Sequence, residues 1–303
     1  MTVKYTYMRG ALYSTLAAVL WGVMSPVAKI ISNAGISMIT TVLLRSAFAS
    51  VMMFVCFAAS HKLHTLRATK SELKFYFTSA LLTVAFASCG YMTSLEYLTV
   101  AEAIVLHYTF PIVTLVAQYF VTGEKPTVFQ IIAGVFVVFG VYSGMGGSVA
   151  SMTSLSPAGI AYAVLSIVGM SGQALIARNF SMHHKLNPFT LLFYSNVLGF
   201  FMILLYKSSV IGWGDMSNMT PFLLLLVAAM ALTGTIISYA LFYEALKIVP
   251  AVVVTLLCTL EIVVAVCLSA FMVEQIPSYG EVAGCALIIL SAVFTTVSPD
   301  KAL

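Results

Sequence analysis

Long apolar runs alternate with short polar breaks along this chain, and the length of the runs decides which solvent they face. Predominantly apolar stretches fill 10–31, 37–59, 75–95, 101–121, 128–146, 158–178, 189–207, 221–243, 249–272 and 279–298. Each is about 18–24 residues, the length an α-helix needs to cross roughly 30 Å of hydrocarbon. A membrane barrel would instead require segments of about 10 residues that alternate polar and apolar, and these runs do not alternate. The first run follows Lys4 and Arg9 and so resembles a signal peptide, but it is too long for one and carries Trp21 and Lys29. It is kept as a helix. The pattern predicts an all-α membrane protein with ten transmembrane helices.

Composition agrees. Hydrophobic residues make up 61% of the 303 and charged residues only 8%, whereas a water-facing domain carries about 25%. The basic residues are unevenly placed. With the N-terminus inside, the inner segments hold eleven of them, from Lys4 and Arg9 through the 60–74 loop to Lys247 and Lys301, and the outer loops hold only Lys207. Positive charge stays on the cytoplasmic side, so both termini are expected to be cytoplasmic in a multi-pass cell-membrane protein. The net charge of +4 is then a property of loops facing anionic lipid, and no basic patch interleaved with aromatics points to nucleic acid. The five cysteines all lie in apolar runs without a CxxC pair; no metal, cofactor or disulfide framework is expected.

The chain also resembles itself. Tyr91 and Glu96 fall over Tyr239 and Glu244 at an offset of 148, and Glu124 and Gly134 over Glu274 and Gly284 at 150. Each half ends in a Glu- and Pro-containing loop (EKP, EQIP) followed by a Gly-containing helix. Five helices per half is an odd number, so the second copy enters the membrane in the opposite sense. The expectation is two inverted five-helix repeats, 1–150 and 151–303, the arrangement in which a midplane site is exposed alternately to either side.

Ionisable residues inside apolar runs are costly and need a partner, water or a role. Glu261 lies near the middle of its run, on a face with Thr255, Cys258, Ala265 and Ser269; it is the first choice for proton coupling or for a counter-ion to a cationic substrate. His107 heads a stripe with Pro111, Thr114 and Gln118 and could titrate near neutrality. Glu96 and Glu244, related by the repeat, are candidate gates at span ends. Trp21 and Ser25 share a face with Ser14 and Lys29, and Gln173 shares one with Tyr162, Ser166 and Gly169. Trp21, Tyr91, Tyr108, Tyr162 and Tyr239 could supply aromatic walls that attract organic cations. Lys29 and Arg45 are expected to join Glu96 and Glu102 in an outer ion-pair network.

These features together resemble the drug/metabolite transporter superfamily and its ten-helix EamA-type members. The residues that carry the resemblance are Trp21-Gly22 and Lys29 in the first helix and Leu-Leu-Arg at 43–45. Pro111, Glu124, Gly134 and Gly140 add to it, with Glu274, Pro277 and Gly284 in the second half. The resemblance covers essentially the whole chain and implies a small-metabolite transporter with a central cavity between the halves. One departure stands out: Glu261 occupies the place that matches Pro111. The reading is a secondary active transporter of a small polar metabolite (an amino acid, amine or organic cation), with protons as a possible second passenger. A multispanning enzyme is the alternative, disfavoured by the absence of HExxH or GxSxG patterns, and so is a channel or structural subunit, which would need a filter-like loop.

Overall fold

The computed structural model describes residues 2–98, 100–144, 156–272 and 277–296, and among these residues all regular structure is helical. The apolar helices, in chain order, are α1 (Tyr5–Asn33), α2 (Met38–Ala59), α3 (Lys70–Ser94), α4 (Glu102–Thr122), α5 (Val128–Gly144), α6 (Pro157–His183), α7 (Pro188–Ile211), α8 (Pro221–Leu246), α9 (Ala251–Phe271) and α10 (Tyr279–Thr296). All but α5 have at least 18 described residues and are long enough to cross a bilayer; α5 has 17. Their number and order follow the expected runs.

Local chemistry sets the starts of these helices. Ser37, Asn187 and Thr220 each accept from backbone N–H groups in the first turns of α2, α7 and α8, and Thr69 and Glu72 form a reciprocal capping box at α3. Such caps satisfy donors that no helix can bond internally. Proline follows at the first helical position of α6, α7 and α8, where its missing N–H costs nothing. Gly123, at φ 75°, ends α4 in the left-handed conformation that glycine adopts most easily.

Helices α3 and α8 are widened mid-span, over Leu81–Cys89 and Ala231–Ile237, into turns that bond five residues apart. The two stretches begin 150 residues apart. The packing repeats as well. Helix α1 packs on α8 and α9, and α6 packs on α3 and α4; α2 lies on α7, α4 on α9 and α5 on α10. Exchanging α1 with α6, α2 with α7 and so on leaves this set unchanged. Since successive helices alternate in direction, α6 runs opposite to α1, and the exchange is a two-fold rotation about an axis in the membrane plane. Helices α5 and α10 approach closely because a Cβ at Gly140 would lie 2.9 Å from the carbonyl of Gly284. Small residues permit such crossings where no water drives helices together.

Both ends of the bundle are tied across the halves. At one end the Arg178 guanidinium, at the close of α6, donates to Glu124 of the α4–α5 loop (Nη2 to Oε1, 2.6 Å) and to the Leu246 carbonyl (3.0 Å). At the other, Asp215 in the α7–α8 loop accepts from Lys207 (2.8 Å), from the Ser37 N–H (3.0 Å) and from the Thr40 hydroxyl. Partial burial alone would raise the Asp215 carboxyl, but the Lys207 ammonium, the Thr40 hydroxyl and the Ser37 amide outweigh it and hold its pKa at about 2. Lys207, expected to be the outer loops' basic residue, is wholly buried under this carboxylate and the Trp213 ring. That is a correction to its place as a loop charge.

Candidate functional site

The site is built on two helix breaks at matching positions. In α4 the Thr109 N–H and hydroxyl both bond the Leu106 carbonyl (3.1 and 2.6 Å), and in α9 Thr259 does the same to Leu256 (3.3 and 2.7 Å). A hydroxyl bonding back to the preceding turn bends a helix. The break leaves His107 in the last turn of one segment, Val100–His107, and Glu261 in the first turn of another, Leu260–Met272. Interrupted helices place partial charges at mid-membrane: a positive helix start favours a carboxylate, and a negative helix end favours a cation.

Around these breaks the side chains converge. Tyr108 of the first half and Glu261 of the second come together here. Glu261 is half-buried on its helix, with Tyr91, Tyr108, Tyr239 and Cys258, on α3, α4, α8 and α9, near it. The His107 ring stands 4.6 Å from Tyr91, 5.3 Å from Tyr108 and 5.6 Å from Phe110. Its Nδ1 lies 3.0 Å from the Ser166 hydroxyl, whose own proton goes to the Ala163 carbonyl. Ser166 can therefore only accept here, so His107 carries its proton on Nδ1 and leaves Nε2 as an acceptor.

A second layer lies against this cluster. Trp21 is buried, with Nε1 donating to the Gly234 carbonyl (2.9 Å) and its ring edge-on to Tyr239 at 4.8 Å. Gln173 accepts from Thr83 (2.7 Å) and Tyr243 (3.4 Å) and donates to the Met170 sulfur. Its amide is already engaged and positions Thr83 and Tyr243.

Other expectations fall elsewhere. Tyr162 stacks on Tyr97 (5.8 Å) and has no ring contact with the His107 cluster. Pro111 is buried and starts the second segment of α4, and the Thr114 hydroxyl bonds the Phe110 carbonyl. Gln118 accepts from the Val252 N–H at the start of α9 (3.0 Å). The lower part of the His107 stripe is thus a seam between α4 and α9, not a cavity wall. Glu244 is partly exposed and pairs with Lys247 at 2.8 Å. The side chains of Ser25 and Glu96, and Glu274, lie outside the described residues. Lys29 is exposed and Arg45 has no ion pair among the described residues; the Glu96 side of the expected outer network lies outside them. A larger cavity of about 390 Å³ lies between the start of α3 and the end of α6, beside Phe75, Phe180, His183 and His184, and holds none of the expected site residues.

Sequence reasoning missed Thr109 and Thr259, although the signal was legible: Leu106-x-x-Thr109 and Leu256-x-x-Thr259 repeat at an offset of 150. It also missed Thr83 and the Arg178–Glu124 tie, whose partners are far apart in the chain.

Fold and site together define a duplicated, ten-helix membrane protein with polar groups gathered at its repeat interface. The chain belongs to the EamA-like transporter family, whose pattern matches twice, over residues 8–143 and 157–297. It is 24% identical over 267 residues, 84% of this chain and 80% of the relative, to a Bacillus subtilis (strain 168) protein named "Uncharacterized transporter YxxF". A solved crystal structure superposes on 94% of the chain and 95% of its own length with a TM-score of 0.77 at 16% identity; at that identity the likeness speaks for the fold alone. The chain is therefore read as a membrane transporter rather than an enzyme.

Proposed function

We propose that the protein is a secondary transporter that moves a small polar metabolite with a cationic group across the cell membrane by alternating access. Glu261 is the central ligand and the proton-coupling group. The observation that supports the reading is the approach of Tyr108 and Glu261 across the two helix breaks, a carboxylate of one half beside aromatic rings of the other. Ammonium groups bind well at such a site, by charge pairing and by attraction to ring faces. Tyr91, His107 and Tyr239 complete the wall, with His107 Nε2 as a hydrogen-bond acceptor. The units that rock are residues 1–150 and 151–303, and the contacts Arg178–Glu124 and Asp215 to Ser37 and Thr40 must open in turn. Charge asymmetry puts both termini, and the Arg178 tie, on the cytoplasmic side.

The test is uptake into proteoliposomes. Glu261→Gln keeps the size and polarity of the side chain but cannot shed a proton, so it is expected to lose pH-driven uptake while retaining substrate exchange. Uptake with unchanged pH dependence would make Glu261 structural and His107 the next group to test. Saturable counterflow in the wild type separates a carrier from a channel. Orientation is checked with a cysteine at Ser71, which an impermeant reagent should reach only in permeabilised cells.

A further inference from the structure

Among the described residues, three buried side-chain polar atoms lack a hydrogen-bond partner: Arg45 Nε, Thr235 Oγ1 and Ser291 Oγ. Two of the three line one cavity. It lies between α2, α3, α7 and α8, measures about 10 Å³, and is walled by Arg45, Ser46, Thr83, Ser195, Thr235 and Tyr239. Buried polar atoms are nearly always bonded, and an arginine in the hydrocarbon layer without a counter-charge is costly. Its titratable neighbours, Tyr239 and Cys89, are not carboxylates, and no acid among the described residues lies within ion-pair distance. The neighbouring hydroxyl of Thr83 is committed to Gln173, whereas the Thr235 side chain is 5% exposed and uncommitted. Both widened stretches border the space, Thr83 from α3 and Thr235 from α8, and turns of this kind gather at functional sites.

We infer that this cavity is a subsite for a small monoanionic group, held by the Arg45 guanidinium and the Thr235 hydroxyl. A cationic and a neutral donor converging on a space for about one water-sized group suit a carboxylate end or a halide ion. A phosphate or sulfate would be too large. The subsite adjoins the Glu261 cluster through Tyr239, which lines the cavity and lies near Glu261. If the anion is part of the cargo, the transported molecule carries opposite charges at its two ends. Only that last step rests on the transport reading.

Binding is tested on purified full-length protein without transport. The thermal midpoint is followed while sodium formate, or separately sodium chloride, is titrated at constant ionic strength against the salt of a bulky organic anion. The expected result is a saturable rise in midpoint with at least one of the two salts. Arg45→Gln should raise the half-saturating concentration at least tenfold, and Thr235→Val, which keeps the shape but removes the hydroxyl, several-fold. Saturation by formate alone assigns a carboxylate, by chloride alone a halide, and by both a general anion site. A non-saturating rise in the wild type, or half-saturation unmoved by the variants, overturns the inference. Should Arg45→Gln fail to fold, Thr235→Val carries the test by itself. A protein that saturates here but shows no counterflow would keep the subsite and lose the transporter reading.

Discussion

The two halves share their mechanics and differ in their chemistry. Threonine-bonded breaks occur in both α4 and α9, at residues 109 and 259, and widened turns in both α3 and α8, beginning at residues 81 and 231. The charges are not duplicated. Glu261 stands where the first half has Pro111, and Arg45 where the second half has Ser195 at the same offset of 150. Backbone features that let helices bend are useful in both copies, because each half moves against the other. A buried charge is expensive wherever it is placed, so one copy of each suffices for a single site on the two-fold axis. A half can thus be exchanged for its partner as a lever but not as a ligand.

The ties at the two ends give the largest expected contrast. Asp215→Asn leaves the wholly buried Lys207 without its counter-charge and should lower stability by about 3–5 kcal/mol. Glu124→Gln, at a pair with more solvent access and a remaining bond from Arg178 to Leu246, should cost only about 1–3 kcal/mol. Unfolding midpoints in detergent check both, and equal losses would break the distinction. The Asp215 tie also has a sign in pH. Its folded pKa of about 2 lies below the ordinary 3.8. Its contribution is therefore complete above pH 3.8 and fades as the pH falls toward 2, and Asp215→Asn should remove that acid-side loss.

Next comes the asymmetry at the breaks. Glu261→Gln should lower pH-driven uptake by roughly tenfold or more, a coupling of about 1.4 kcal/mol. Pro111→Ala, at the matched position, should leave the pH dependence of uptake as it is. Initial rates at two external pH values decide between them. Smallest and most symmetric are Thr109→Val and Thr259→Val, each removing one hydroxyl bond and each expected to cost about 0.5–1.5 kcal/mol. Clearly unequal costs would mean that the two breaks are not mechanical equivalents.

How much of this was legible in the sequence depends on the range of the interaction. Helix number, order and duplication are written in runs of apolar residues, since hydrocarbon forces backbone groups to bond within each helix. Glu261 and Trp21 could be found because a polar or indole group within an apolar run stands out alone. The partners could not be. Nothing near Tyr108 in the chain points to Glu261, and nothing near Arg178 points to Glu124; those pairings come from helix packing. Gln118 shows the converse failure. Its helical spacing from His107 made a convincing stripe, but the packed neighbour is the start of α9, where its amide finds a free N–H.

The indole of Trp21 carries a further consequence. The Gly234 carbonyl sits in the widened turn of α8, and side chains claim it: Trp21 Nε1 and the Ser238 hydroxyl both donate to it. If that turn tightens into an ordinary α-helix during the cycle, a backbone amide competes for the carbonyl and the indole must release it. The chain has only two tryptophans, Trp21 and Trp213, and the second lies in a loop. With Trp213 replaced by Phe, the emission colour of the remaining indole would follow the winding of one helix. The molecule then carries its own optical gauge for the step that opens it.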